Sequence, residues 1–226
     1  MIAENIRSVE DRIQNACERA GRSRDEVTLI CVTKTMPVED LRQAYDAGQR
    51  SFGENRVQEI NDKYPQLPDD IQWHMIGHLQ TNKVKLVVPH ATLIHSVDSE
   101  RLLAEIDKVS RNLGKTSDIL LEVHIAEETT KQGLSPEEAE ALAGRMAAYP
   151  NVRLRGVMGM ATFTDDMAQV RREFRTLKAL SERLSGIPYC DQVSMGMSED
   201  WPVAVEEGTT IVRIGTAIFG KRNQTR

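Results

Sequence analysis

The chain has 226 residues, a formal net charge of -5 and no apolar run long enough to span a membrane. That length suits one large domain able to bury its own core, and the acidic balance leaves no basic footprint for nucleic acid. Cys17, Cys31 and Cys190 are odd in number and widely spaced, so they form neither a disulfide framework nor a metal-ligand pattern. With an opening Met-Ile-Ala-Glu-Asn that lacks the regions of a signal peptide, they point to a reduced, cytoplasmic setting.

Residues 4–20 carry Ile6, Val9, Ile13, Ala16 and Cys17 at helical spacing, and Gly21 closes that helix. Residues 27–32 are a short apolar run rich in β-branched residues, which reads as a buried strand. Lys34 follows it, and Pro37 opens a helix running to Gly48. Residues 50–53 form a second strand, with a helix after it to about Lys63. Strands are expected at 71–77, 91–96, 119–125, 152–158, 190–195 and 210–214. Helices are expected at 79–86, 98–113, from Ser135 to near Tyr149, at 165–184 and at 198–207. Ser135-Pro136-Glu137-Glu138 combines an N-cap, a first-turn proline and acidic helix-start residues.

Eight short strands alternating with helices argue for parallel βαβ units. Eight units in one domain of this length favour a single (β/α)8 TIM barrel over an open doubly wound sheet. The additional N-terminal helix would fill the outer-ring place after strand eight. One domain spanning 1–226 is expected, without linkers or repeats.

Three features carry chemistry. Lys34 sits at the C-terminal end of a strand, where barrels keep their active sites. It is either a lysine that has reached solvent or an amine able to form a Schiff base with an aldehyde. The segments Ser194-Met195-Gly196-Met197-Ser198 and Gly215-Thr216 follow strands seven and eight, where barrels bind phosphate. Glycines there admit a ligand to the backbone, and Ser198 stands where a helix is expected to begin; two ordinary turns are the alternative. Arg213, set among Val212, Ile214 and Gly215, is either half of a buried ion pair or a donor to a ligand. A Schiff-base lysine beside a phosphate pocket specifies pyridoxal 5'-phosphate (PLP), whose ring nitrogen then needs a partner such as arginine.

Several segments together resemble the pyridoxal-phosphate homeostasis family, which shares the barrel of the alanine-racemase N-terminal domain (PLP fold type III). They are Val32-Thr33-Lys34-Thr35, Phe52-Gly53-Glu54-Asn55, residues 73–83, Arg155-Gly156-Val157-Met158, residues 194–198 and residues 212–220. They span nearly the whole chain in the expected order, and Met75, where phenylalanine is usual, is the one departure. The resemblance implies an internal aldimine on Lys34. It also implies a phosphate held by Ser198, Gly215 and Thr216, and a ring nitrogen facing Arg213. Asn55 and His78 are expected around the cofactor, with Met158 and Met160 lining the pocket and His74 packed beneath it. Lys131 matches a further lysine of the family's loop.

The implied role is PLP binding and homeostasis of the free cofactor, without strong catalysis. PLP, PLP-dependent apoenzymes and free amino acids are the expected partners, and the chain is expected to act as a monomer. Alanine racemases carry a second, β-rich domain that supplies an opposing tyrosine, whereas only six residues follow Gly220 here. A minimal PLP-dependent racemase of the same fold is the alternative, and a barrel acting on a phosphorylated sugar through Lys34 is a third possibility.

Overall fold

The computed structural model describes residues 1–127 and 133–220. The chain begins with α1 (Ile2–Arg19), β1 (Thr28–Val32), α2 (Val38–Asp46), β2 (Ser51–Glu54), α3 (Val57–Lys63) and β3 (Gln72–Met75). It continues with α4 (Val84–Val87), β4 (Ala91–Val97), α5 (Glu100–Asn112), β5 (Ser117–Val123) and α6 (Pro136–Ala143). It ends with β6 (Val152–Gly159), α7 (Met167–Arg183), β7 (Gln192–Met197), α8 (Trp201–Glu206), β8 (Ile211–Ile214) and α9 (Thr216–Phe219). The strands close in chain order into a parallel barrel, with β8 pairing β1 through Ile30 and Arg213, among others.

Local chemistry starts the helices. Ser135 accepts from the Glu138 N–H at 3.1 Å, and the Glu138 carboxylate accepts from the Ser135 N–H at 2.8 Å, the reciprocal pair of a capping box. Ser99 caps α5 and Asp166 caps α7 in the same spirit. α1 packs on α2, α8 and α9, in the outer-ring place expected of it.

Strand periodicity sorts side chains into two cores, because alternate residues face opposite sides. Outward residues such as Cys31, Phe52, Trp73, Ile94, Val193 and Val212 join the helices in the larger core. Inside the barrel, Ile30, Leu93, Leu120, Met158 and Ile211 form an apolar layer. Two residues further along three of these strands the character changes. Arg213 follows Ile211, His95 follows Leu93 and Glu122 follows Leu120, and all three are buried. This polar layer separates the apolar plug from the mouth.

Two helices are shorter than their patterns imply. Residues 79–86 resolve into a 3-10 turn, Thr81–Lys83, and the single turn of α4, stopped just ahead of Pro89. α6 stops at Ala143 with Gly144 following, and only a 3-10 turn, Met146–Ala148, continues toward Tyr149. At β7 the turn is longer than expected. α8 begins at Trp201 with Asp200 as N-cap, so Ser198 belongs to the preceding turn at φ 29°.

Candidate functional site

Lys34 is carried by a braced turn. Thr33 is fully buried, and its hydroxyl donates to Glu54 Oε1 at 2.6 Å. Lys63, also buried, donates to the Thr33 carbonyl at 2.9 Å, to Glu54 at 2.7 Å and to Glu59 at 2.8 Å. Glu59 in turn accepts the Thr35 N–H at 2.7 Å. Thr35 has φ 66°, a left-handed conformation that a β-branched residue rarely adopts. The backbone on both sides of Lys34 is thus tied to a buried cluster of one lysine and two glutamates. Burial pushes the Glu54 carboxyl above its ordinary range.

Arg213 projects from β8 and is almost wholly buried. Its Nη1 donates to Ser194 Oγ, and its Nη2 to the Gly159 carbonyl at 3.3 Å. Behind Ser194, His95 Nδ1 lies 3.0 Å from Oγ, and His95 Nε2 lies 3.0 Å from His74 Nδ1. Burial lowers Arg213 to about 10 and His74 to about 4. His95 falls well below the usual histidine range through burial, then through His74 and Arg213. Glu122, in the same layer, is raised to about 7 by burial and then by the charge of Asp98.

Lys34 and Arg213 line one cavity of about 230 Å³ with Asn55, Ser198, Gly215 and Thr216. Val32, Ile76, Met160 and Met197 complete its wall. Among the described residues, the lining holds two cationic side chains, two hydroxyls and an amide, and no carboxylate. Such a set suits a small anion that also offers a carbonyl to the amine. Two glycines shape it. A Cβ on Gly215 would stand 3.1 Å from the Val32 carbonyl oxygen, and one on Gly77 would stand 2.4 Å from the Asn55 carbonyl oxygen. Gly77 therefore allows the backbone of Asn55 to settle against the end of β3.

Six of the eight residues expected from the sequence thus converge: Lys34, Asn55, Ser198, Arg213, Gly215 and Thr216. Met158 lies one layer below, in the apolar plug, and Met160 forms the wall instead. His78 is about half exposed, 3.4 Å from Asp98, and lines a separate cavity of about 480 Å³. His74 is buried and reaches the cavity residues through His95 and Ser194. Lys131 lies outside the described residues. Sequence reasoning missed Glu54, Glu59, Lys63, His95 and the part played by Ser194. The signal available for His95 was an imidazole sharing a strand face with Leu93 and Val97, whereas Glu54, Glu59 and Lys63 each have a polar neighbour in sequence and offered none.

The alanine racemase N-terminal domain model matches residues 5–223. A pyridoxal phosphate homeostasis protein of Aquifex aeolicus is 43% identical over 225 residues, covering 97% of both chains. The chain belongs to the pyridoxal phosphate homeostasis family. Among solved structures, an unknown protein from Bifidobacterium adolescentis superposes with a TM-score of 0.92 at 36% identity, covering 96% of this chain and 94% of the other. PipY of Synechococcus elongatus, whose structure was determined with PLP bound, has a TM-score of 0.84 at 35% identity, covering 97% of this chain and all of PipY.

Proposed function

We propose that this protein binds PLP in the cavity between Lys34 and Arg213 and takes part in PLP homeostasis. The observation that carries the reading is the lining itself, two cations and two hydroxyls without a carboxylate among the described residues. It fits a molecule with an aldehyde, a dianionic phosphate and a basic ring nitrogen. The full-length relative named for PLP homeostasis and the PLP-bound PipY support it. When bound, the cofactor supplies an electrophilic aldehyde. Lys34 would provide the amine that takes up that aldehyde. Ser198, Thr216 and the backbone at Gly215 would hold the phosphate, and Arg213 would donate to the ring nitrogen. Arginine carries only donors and does not give up its proton, so it leaves that nitrogen unprotonated. This favours storage over carbanion chemistry.

The recipients are PLP-dependent apoenzymes or free amino acids, served by a cytoplasmic monomer. The buried, unpaired Cys17, Cys31 and Cys190 are consistent with a reducing compartment, and no described helix is long and apolar enough to cross a membrane.

Two measurements test the reading. PLP-loaded protein should be yellow, and borohydride followed by peptide mass mapping should fix the label on Lys34. A label on Lys83 or Lys131 refutes that assignment. Replacing Ser198 and Thr216 by alanine should weaken PLP more than pyridoxal, by on the order of 1.5–3 kcal/mol for each lost charge-assisted bond. Equal loss for both ligands removes these hydroxyls from the phosphate site.

A further inference from the structure

The chain behind Arg213 has a direction that donor chemistry dictates. Arginine can only donate, so the bond from Nη1 makes Ser194 Oγ an acceptor. The Ser194 hydroxyl still has its own proton to place. Its other neighbour at 3.0 Å is His95 Nδ1. If Ser194 donates there, His95 carries its proton on Nε2 and donates to His74 Nδ1 at 3.0 Å. His74 then carries its proton on Nε2, which is buried and has no partner among the described residues. One group is left unsatisfied.

Reversing the chain is worse. His74 Nδ1 and His95 Nδ1 would donate, and Ser194 Oγ would accept from both sides. The hydroxyl proton would then lack an acceptor among the described residues, and the His74 Nε2 lone pair would also be orphaned. Two buried groups would be unsatisfied rather than one. A doubly protonated His95 would bury a second positive charge behind Arg213, which burial and the guanidinium both oppose.

We infer that His95 is a positioning residue: acting through Ser194, it aims the Arg213 guanidinium at the cavity, and the chain works with both imidazoles neutral and protonated on Nε2. The consequence for the cofactor rests on the PLP reading above; the chain itself does not. Ser194 and the Gly159 carbonyl hold the two terminal nitrogens of Arg213. Without the Ser194 anchor, only the longer bond to Gly159 remains to fix the plane of the guanidinium.

The first test uses native protein without cofactor. Long-range proton–nitrogen NMR at neutral pH should show His74 and His95 as neutral Nε2–H tautomers. An Nδ1–H tautomer or an imidazolium at His95 overturns the chain. The second test uses PLP-loaded variants. His95→Gln places its amide near the Nε2 position and loses the acceptor for Ser194; His95→Asn retains a carbonyl near the Nδ1 position. His95→Gln should weaken PLP roughly tenfold, the scale of one hydrogen bond to a charged group, and shift the visible maximum of the bound cofactor. His95→Asn should restore both. Equal behaviour of the two variants, or an unmoved maximum in His95→Gln, overturns the positioning role. If native protein takes up no PLP, the functional reading fails while the tautomer result still decides the chain.

Discussion

Lys34 and Arg213 face the same cavity, yet the backbone on both sides of Lys34 is tied to charged groups and the head group of Arg213 to neutral ones. The backbone flanking Lys34 is bound at the Thr33 carbonyl and the Thr35 N–H. Around Arg213 the contacts end on the guanidinium nitrogens, and the partners behind them are neutral. A carboxylate in that place would pair with the arginine and repel an anionic guest. The Lys34 turn can use full charges because Glu54, Glu59 and Lys63 sit behind it and are not among the residues lining the cavity. Paired charges serve as bracing out of the ligand's sight, and a neutral chain serves where positive potential has to remain.

The sharpest way to break this contrast is Lys63→Met. Lys63 bridges Glu54 and Glu59, with its side chain 8% exposed. Its removal leaves the buried Glu54 and the partly buried Glu59 without their cation and frees the Thr33 carbonyl. The expected loss is about 3–5 kcal/mol in denaturant unfolding, as for breaking other buried ion pairs. A further Glu54→Gln change should recover part of it, since Glu54 is the carboxyl that burial most disfavours as an anion. A loss below about 1 kcal/mol would mean that the turn stands without its bracing.

Glu122→Gln sharpens the Arg213 side. Burial raises the Glu122 carboxyl from an ordinary 4.5 to about 7. The folded state therefore binds that proton more tightly than the unfolded chain does. Its stabilising contribution is complete below pH about 4.5 and is lost as pH rises through about 7. In the difference between Glu122→Gln and native stability across that window, the variant should gain by up to about 3 kcal/mol toward high pH. A flat difference would mean that Glu122 is an ordinary carboxylate, and that Arg213 has a full counter-charge within its layer after all.

The contrast also explains what was legible in the sequence. The barrel was readable because strand and helix periodicity repeat eight times, so errors at single boundaries do not accumulate. Lys34, Ser198, Gly215 and Thr216 were readable because each occupies a strand end or a loop where barrels place their chemistry. The bracing was not. Lys63 looks like the last-turn cation of any surface helix, and its burial emerges only when α3 lies beside the Lys34 turn. His95 was hidden because Ile94 and Ser96 frame it as one more strand residue, and its partners lie 21 and 99 positions away. Ser198 was misplaced at a helix start because it resembles an N-cap. Asp200 ahead of Trp201-Pro202 was the better signal, a capping residue followed by a first-turn proline. Met158, on β6, and Met160, just past its end, share a parity, and only the depth of the apolar plug tells which one meets the cavity.

The smallest expected effect tests whether the Lys34 turn is held by contacts alone. Thr35 sits at φ 66°, which costs an L-residue roughly 1–2 kcal/mol. Thr35→Gly removes that penalty. It also adds about 0.5–1 kcal/mol of conformational entropy to the unfolded chain, which opposes folding. The two terms nearly cancel, so urea unfolding should move by less than about 1 kcal/mol. The bond that matters, from the Thr35 N–H to Glu59, belongs to the backbone and survives the substitution. Borohydride trapping of PLP on Lys34 should therefore proceed at an unchanged rate. A markedly slower rate at unchanged stability would assign the Thr35 side chain a share in orienting Lys34, and the two cations would then differ less than their contacts imply.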